Sequence, residues 1–224
     1  MKTRIIGRKF FRRNPISCAR ELIGTELIWG NCAGIIVETE AYLAENDEAS
    51  HTFSRPTARA FVEKNKAGAA YVYFSYGAHW MLNVLVKGET DGFVLFRAVQ
   101  PTRGIDLMKK RRGTDDERQL CSGPGKLTQA FAITNRDHEI DLCTDPRHHF
   151  EAGPNANSSR RSRLAPAEVV ADARIGITRS AHHPWRFTLR GSEFISRRVR
   201  AEVPGSNPKP RGHLGLAVID SSFQ

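Results

Sequence analysis

Hydrophobic positions recur with two periods along this chain, and the changes of period mark its elements. Ile16, Ala19, Leu22 and Ile23 fall three and four residues apart, the spacing of one helix face. Asn14-Pro15 ahead of them supplies an N-cap and a first-turn proline, and Gly24 can end the helix. Residues 26–42 read as two strands about a turn near Gly30-Asn31. Aromatic and β-branched residues crowd 70–76 and 79–87, which predicts a hairpin with Ser75-Tyr76-Gly77-Ala78 at its tip. A further strand is expected over 92–99. Helices are expected over 103–111, ending in Lys109-Lys110-Arg111-Arg112, and over about 125–132, opened by the loop Cys121-Ser122-Gly123-Pro124-Gly125-Lys126. Residues 45–66 are polar and irregular, and 152–166 read as a surface loop or insert. Strands return at 167–177 and 185–190. There is no internal repeat and no regular βαβ alternation. The pattern predicts one mixed α/β domain over 1–203, mainly antiparallel, followed by a loosely ordered tail over 204–224.

Composition narrows the class. The chain has 224 residues, 40% hydrophobic and 26% charged, which suits a globular protein with a real core. Its net charge of +10 suits a polyanionic partner such as nucleic acid. The four cysteines form no CxxC pair and fit no zinc ribbon, so four reduced thiols in an intracellular protein are expected. The N-terminus lacks the apolar stretch of a signal peptide, and no apolar run approaches the ~18 residues that cross a bilayer.

Polar residues inside apolar runs carry the chemistry. Ile36–Tyr42 begins as a β-branched strand and ends in Glu38, Glu40 and Tyr42, which alternate and so share one face. Two acids beside an aromatic ring fit the cleavage of a glycosidic bond; a wet, half-buried strand is the simpler reading. Asn83 and Arg97 each interrupt an apolar strand and call for partners. Arg97 could pair with Glu38 or Glu40, either as a structural ion pair or to orient a catalytic carboxylate. Tyr71 and Tyr73 share a strand face as core or pocket wall. Tyr76, beside Gly77 at a hairpin tip, is poorly placed for burial and could wedge between bases, or fold back on the sheet. The Gly-Pro-Gly-Lys loop lacks the GxxxxGK[ST] spacing of a nucleotide-binding loop, but could hold a DNA phosphate. The pairs His148-His149 and His182-His183 lack metal-site spacing and read as solvated loop residues.

In order along the chain stand Glu38-Thr39-Glu40-Ala41-Tyr42, Asp47-Glu48-Ala49-Ser50-His51, Tyr71-Val72-Tyr73-Phe74-Ser75-Tyr76-Gly77, Leu82-Asn83-Val84, Val94-Leu95-Phe96-Arg97-Ala98, Cys121–Leu127 and Arg174-Ile175-Gly176. This series resembles the successive motifs of the alkyladenine (3-methyladenine) DNA glycosylase family, from about residue 10 to 198. The resemblance implies a single α/β domain around a curved antiparallel sheet with a protruding hairpin. It implies a monofunctional base-excision enzyme that flips an alkylated or deaminated purine out of duplex DNA and hydrolyses its N-glycosidic bond. Carried over, Glu40 would activate water, with Arg97 and the carbonyl of Ile175 helping to position it. Tyr42, His51 and Tyr73 would line the base pocket, with Asn83 at its floor. Tyr76 would fill the gap in the duplex, and Thr57 and Lys126 would touch the backbone. The implied partner is double-stranded DNA containing damaged purines, bound by a monomer; no metal, cofactor or membrane is called for. The chain departs from the family pattern over Arg59–Lys66. Two other classes compete. A non-catalytic damage-binding module shares the charge and the aromatic hairpin but gives Glu40 no task. A small-molecule glycosidase explains the acids but not the charge or the tip tyrosine.

Overall fold

The computed structural model describes residues 5–152 and 169–199. The chain forms α1 (Arg8–Phe11), α2 (Pro15–Leu22), β1 (Glu26–Trp29), β2 (Cys32–Leu43), α3 (His51–Ser54), α4 (Pro56–Lys64), β3 (Ala70–Ser75) and β4 (His79–Val86). There follow β5 (Gly92–Arg103), α5 (Ile105–Arg112), α6 (Glu117–Leu120), α7 (Pro124–Phe131), a short 3-10 turn (Asn135–Asp137), β6 (His148–Glu151), β7 (Val169–Asp172) and β8 (Arg186–Leu189). Among the described residues, eight strands join one sheet in the order β3-β4-β5-β2-β1-β6, with β8 also pairing β2 and β7 pairing β8. The named strand pairings are antiparallel. This is the mixed α/β domain around a curved antiparallel sheet that the sequence predicts.

β2 is the spine. It pairs with β5 along its length, while β1 takes the first part of its other edge and β8 the later part. Two register shifts with β5 fall beside the acids: Ile36 faces Val99, Glu38 faces Ala98 and Thr39 faces Phe96. Val37 and Arg97 are therefore the extra residues of adjacent bulges. Bulges re-aim side chains next to active sites, and the second one sits at Arg97.

Burial on both faces explains why β2 and β5 read as nearly continuous apolar runs rather than alternating ones. One core packs α2 and α7 against the sheet through Phe11, Leu22, Ile36, Phe96, Leu127 and Phe150. A second cluster, Ala58, Phe61, Val62, Tyr71, Leu85 and Phe93, has Tyr42 and Tyr73 packed against it. Asn14 caps α2 as expected, its Oδ1 accepting from Ile16 N at 2.8 Å. At the start of α7, a Cβ on Gly125 would lie 2.6 Å from His79 Cγ, so only glycine lets this helix close on the hairpin.

Several elements differ from expectation. The polar stretch 45–66 holds α3 and α4; Pro56 opens α4, and Ala58, Phe61 and Val62 are its buried face. β5 runs on through Pro101 to Arg103, with a register shift where Pro101 faces Gly34. His148-His149 are not solvated loop residues. They lie on β6, where His148 packs against Trp29 and His149 is buried. α1 and α6 are short helices that the hydrophobic pattern misses. The loop or insert expected over 152–166, past its first residue, and the 204–224 tail lie outside the described residues. Cys18, Cys32, Cys121 and Cys143 are all free thiols. Burial pushes Cys18 and Cys143 up to about 11 and Cys121 to about 12. Among the described residues no helix is long and apolar enough to cross a membrane.

Candidate active site

Glu38 and Glu40 are both fully buried, and each is held by donors from distant parts of the chain. Buried carboxylates are costly unless hydrogen-bonded and paired, and here the two are satisfied differently. Glu38 Oε1 accepts from Arg97 Nε (3.1 Å), Arg186 Nε (2.7 Å) and Ser196 Oγ (2.8 Å), and its Oε2 accepts from Ser196 N (2.6 Å). Glu40 Oε1 accepts from the amide of Ile175 (2.7 Å), and its Oε2 from Tyr42 Oη (2.8 Å) and a terminal nitrogen of Arg97 (3.2 Å). Arg97 thus bridges the two acids. Burial alone would lower its pKa, but the charges of Glu40 and Glu38 outweigh burial and hold the guanidinium above its ordinary value.

The three donors to Glu40 share a further property. Tyr42, Arg97 and Ile175 all line one cavity of about 400 Å³, so Glu40 lies directly behind that wall. His51, Tyr71, Tyr73, Asn83 and Phe93 line it too, and Tyr76 stands at its edge. His51 Nδ1 lies 3.2 Å from Tyr71 Oη, and its ring centroid is 4.2 Å from that of Tyr73. Burial, with the nearby Arg55 cation adding to it, lowers His51 to about 4, so its ring is neutral at physiological pH. Burial pushes Tyr73 up to about 12 and raises Tyr42, where the charge of Glu40 adds to the effect. Both phenols stay protonated. Asn83 donates to the Tyr71 carbonyl at 3.1 Å, which fixes it on the cavity wall.

The hairpin tip is different. Tyr76 is 96% exposed and has φ +51°, followed by Gly77 at +65°. A non-glycine residue in the left-handed region is uncommon, and such outliers cluster at functional sites. The tyrosine does not fold back on the sheet. Thr57 is exposed on the first turn of α4. Lys126, at the start of α7, reaches Gln119 Oε1 at 2.5 Å. The basic run at 109–112 is mostly engaged within the protein: Lys109 pairs with Glu117, Arg111 bonds the Ala130 carbonyl and Arg112 the Leu120 carbonyl.

The structure thus brings Glu40, Arg97, Ile175, Tyr42, His51, Tyr73 and Asn83 to one cavity and leaves Thr57 and Lys126 on the surface. Arg186 and Ser196, which hold Glu38, are absent from the sequence reading. Arg186 carried a usable signal, a charge between Trp185 and Phe187; Ser196 carried none. His183 stacks on Trp185 with the rings 4.0 Å apart, and His182 tilts against His183. Among the described residues no group of three or more His, Cys, Asp or Glu side chains could hold a metal ion.

Comparison with known proteins gives a consistent result. The family model described as methylpurine-DNA glycosylase matches residues 9–193. A Rhodopseudomonas palustris protein is 45% identical over 194 residues, covering 86% of this chain and 88% of the relative. An Agrobacterium fabrum protein is 45% identical over 198 residues, 88% of this chain and 95% of the relative. A third, from Nitrosospira multiformis, is 44% identical over 191 residues, 85% and 93% respectively. All three carry the name "putative 3-methyladenine DNA glycosylase". A match of this length and identity establishes kinship: this chain belongs to the methylpurine-DNA glycosylase family.

Proposed function

We propose that this DNA glycosylase flips a damaged purine from duplex DNA into the aromatic cavity and hydrolyses its N-glycosidic bond with water activated by Glu40. One observation carries the reading. Glu40 is the buried carboxylate whose three donors, Tyr42, Arg97 and Ile175, all face the cavity. A wet strand would not enclose its acid in this way.

The chemistry follows from the setting. A 3- or 7-alkylated purine is cationic and leaves without much acid assistance. The neutral His51 ring and the protonated Tyr42 and Tyr73 phenols offer faces that attract a cation by roughly 0.5–2 kcal/mol. A charged His51 would repel it. As the bond breaks, the sugar gains oxocarbenium character, which an anion at Glu40 stabilises before taking a proton from water. Glu40 is closed to solvent here. Water access therefore requires Tyr42 or the segment after Arg174 to yield when the nucleotide enters, and catalytic hydrogen bonds commonly rearrange at that stage. Tyr76 would occupy the vacated stack and Asn83 would bound the pocket floor. Thr57 and Lys126 would meet the DNA backbone. The exposure of Tyr76 favours a duplex over a small-molecule substrate, for which a tip aromatic has no task.

Single-turnover release of free base from methylated duplex DNA, in the presence of a chelator, tests the reading. Wild type should release the base. Glu40→Gln should be slower by at least ~10²-fold while still binding lesion-containing duplex. Near-normal excision by Glu40→Gln would remove the carboxylate from the mechanism.

A further inference from the structure

Glu40 is fixed from below by strand neighbours, but its contact from the other side comes from a loop. Ile175 lies 135 residues away in sequence and follows β7 without belonging to a strand. Something must hold that amide in place, and its neighbour Arg174 does so. The Arg174 side chain is fully buried against an equally buried Asp47, with N–O distances of 2.6 and 2.8 Å to the two carboxylate oxygens. The guanidinium also donates to the Ala41 carbonyl at 3.0 Å and to the Ser180 carbonyl at 3.2 Å. Ala41 is the residue between Glu40 and Tyr42. The cation also lies 4.5 Å from the Tyr42 ring and 5.0 Å from the Trp185 ring. Ala41 N in turn donates to the Trp185 carbonyl at 2.8 Å.

We propose that Arg174, clamped by Asp47, is a positioning residue that sets the Glu40 carboxylate through the Ile175 amide and the Tyr42 ring. The inference rests on Glu40 being the catalytic carboxylate. One guanidinium ties together the strand carrying Glu40, the loop carrying the Ile175 donor and the ring of the Tyr42 donor. Its planar fork matches the carboxylate while its faces stack on the rings, a combination that lysine cannot reproduce. Asp47 is pinned in turn, accepting from Leu43 N and Ala49 N, each at 3.2 Å. The clamp therefore references the loop to β2 at Ala41 and Leu43, just past Glu40. Arg174 is not itself a lining residue of the cavity but contacts two that are, Tyr42 and Ile175, so it acts on the reaction through its neighbours.

The test compares Arg174→Ala, Arg174→Lys, Asp47→Asn and Glu40→Gln in single-turnover excision and in equilibrium binding to a lesion-containing duplex. Arg174→Ala should lose about 10²-fold in excision, the scale of a misplacement of about 1 Å, with binding within about threefold of wild type. Guanidinium chloride at millimolar concentration should restore part of that rate, and sodium chloride at equal ionic strength should not. Arg174→Lys should resemble Arg174→Ala despite its charge. Asp47→Asn should slow excision in the same sense, and the double variant should be no slower than the slower single one. Normal excision by folded Arg174→Ala or folded Asp47→Asn overturns the proposal, as does rescue by sodium chloride. If neither variant folds, the clamp serves the fold alone and the proposal is likewise overturned. A fully active Glu40→Gln would instead defeat the underlying reading, so the two failures are distinguishable.

Discussion

Replacing Glu38 with glutamine, and Glu40 with glutamine in a separate variant, perturbs two buried acids that share one arginine. The structure predicts that the two variants rank in opposite order for stability and for excision. A glutamine at 40 can keep its oxygen on the Ile175 amide and turn its NH₂ toward Tyr42, whose hydroxyl can reverse and accept. Only the Arg97 terminal nitrogen loses its acceptor, and Arg97 keeps Glu38 through Nε. The loss is one charged hydrogen bond, about 1.5–3 kcal/mol. A glutamine at 38 has no comparable orientation. With its oxygen toward Arg97, Arg186 and Ser196 Oγ, its NH₂ meets the Ser196 N–H, which lies 2.6 Å from the present oxygen. Turned over, it presents NH₂ to two guanidiniums. Removing one partner of a buried ion pair costs about 3–5 kcal/mol.

At this chain length 1 kcal/mol shifts the melting temperature by about 2–4 °C. Glu38→Gln should therefore melt lower by roughly 6–20 °C, and Glu40→Gln by roughly 3–12 °C, on the same per-kcal scale. Excision should rank the other way. Glu40→Gln should fall by at least ~10²-fold, equivalent to about 2.7 kcal/mol of barrier. Glu38→Gln, assayed well below its melting point, should lose less because Glu40 keeps its charge and two of its donors even if Arg97 drifts. Thermal melts and single-turnover excision on the same preparations check both rankings. A stable Glu38→Gln that excises more slowly than Glu40→Gln would refute the reasoning and exchange the roles of the two acids.

Tyr76→Ala should fold normally, since the side chain is 96% exposed, yet excise well-paired lesions poorly because unstacking costs a few kcal/mol; the defect should shrink on mispaired lesions, and equal activity on well-paired ones would count against the wedge. Lys126→Ala should lower the slope of log affinity against log salt by roughly 0.9; an unchanged slope and affinity would leave Lys126 as a partner of Gln119 alone. His51, held at about 4 by burial and Arg55, sits below its ordinary 6.5, so the unfolded chain binds the proton first as pH falls. Its contribution to stability is complete above pH 6.5 and lost as pH drops toward 4, and His51→Gln should flatten the melting temperature over that window; an identical pH dependence in the variant would show that other groups set it.

Much of this site was legible because charges inside apolar runs are conspicuous. Glu38, Glu40 and Arg97 stand out on β2 and β5 for that reason, and their convergence follows from strand alternation once the two strands pair. Alternation alone could not distinguish the two acids, because both project to the same side. What separates them is their company: Arg186 and Ser196 for one, Ile175 for the other, each more than 130 residues away. The bulge that leaves Arg97 unpaired is equally invisible, since it depends on the register between two strands. α4 was readable in principle from Pro56 followed by Ala58, Phe61 and Val62, but Thr57, Arg59, Glu63 and Lys64 on its outer face made the stretch look like a loop.

Charge bookkeeping in the network behind the cavity gives the arrangement a physical sense. The ion pairs there link the carboxylates of Glu38, Glu40, Asp47 and Asp172 to the guanidiniums of Arg97, Arg174 and Arg186. Asp47 and Arg174 pair with each other, and Glu38, Glu40 and Asp172 draw on the guanidiniums of Arg97 and Arg186. Glu38 is enclosed by both cations and two donors of Ser196, and Asp172 is partly exposed, so water screens it. Glu40 has no cation of its own, since Arg97 is divided between it and Glu38. Of the two strand acids, the one with less cationic compensation is therefore the one beside the cavity. The protein as a whole carries +10, which attracts a polyanion, while Glu40 sets a carboxylate directly behind the cavity wall. On the proposed reading, long-range charge gathers the DNA and the Glu40 carboxylate stabilises the oxocarbenium-like sugar that develops as the cationic purine leaves. A site without that carboxylate would bind the same duplex and gain nothing as positive charge passes from the base to the sugar.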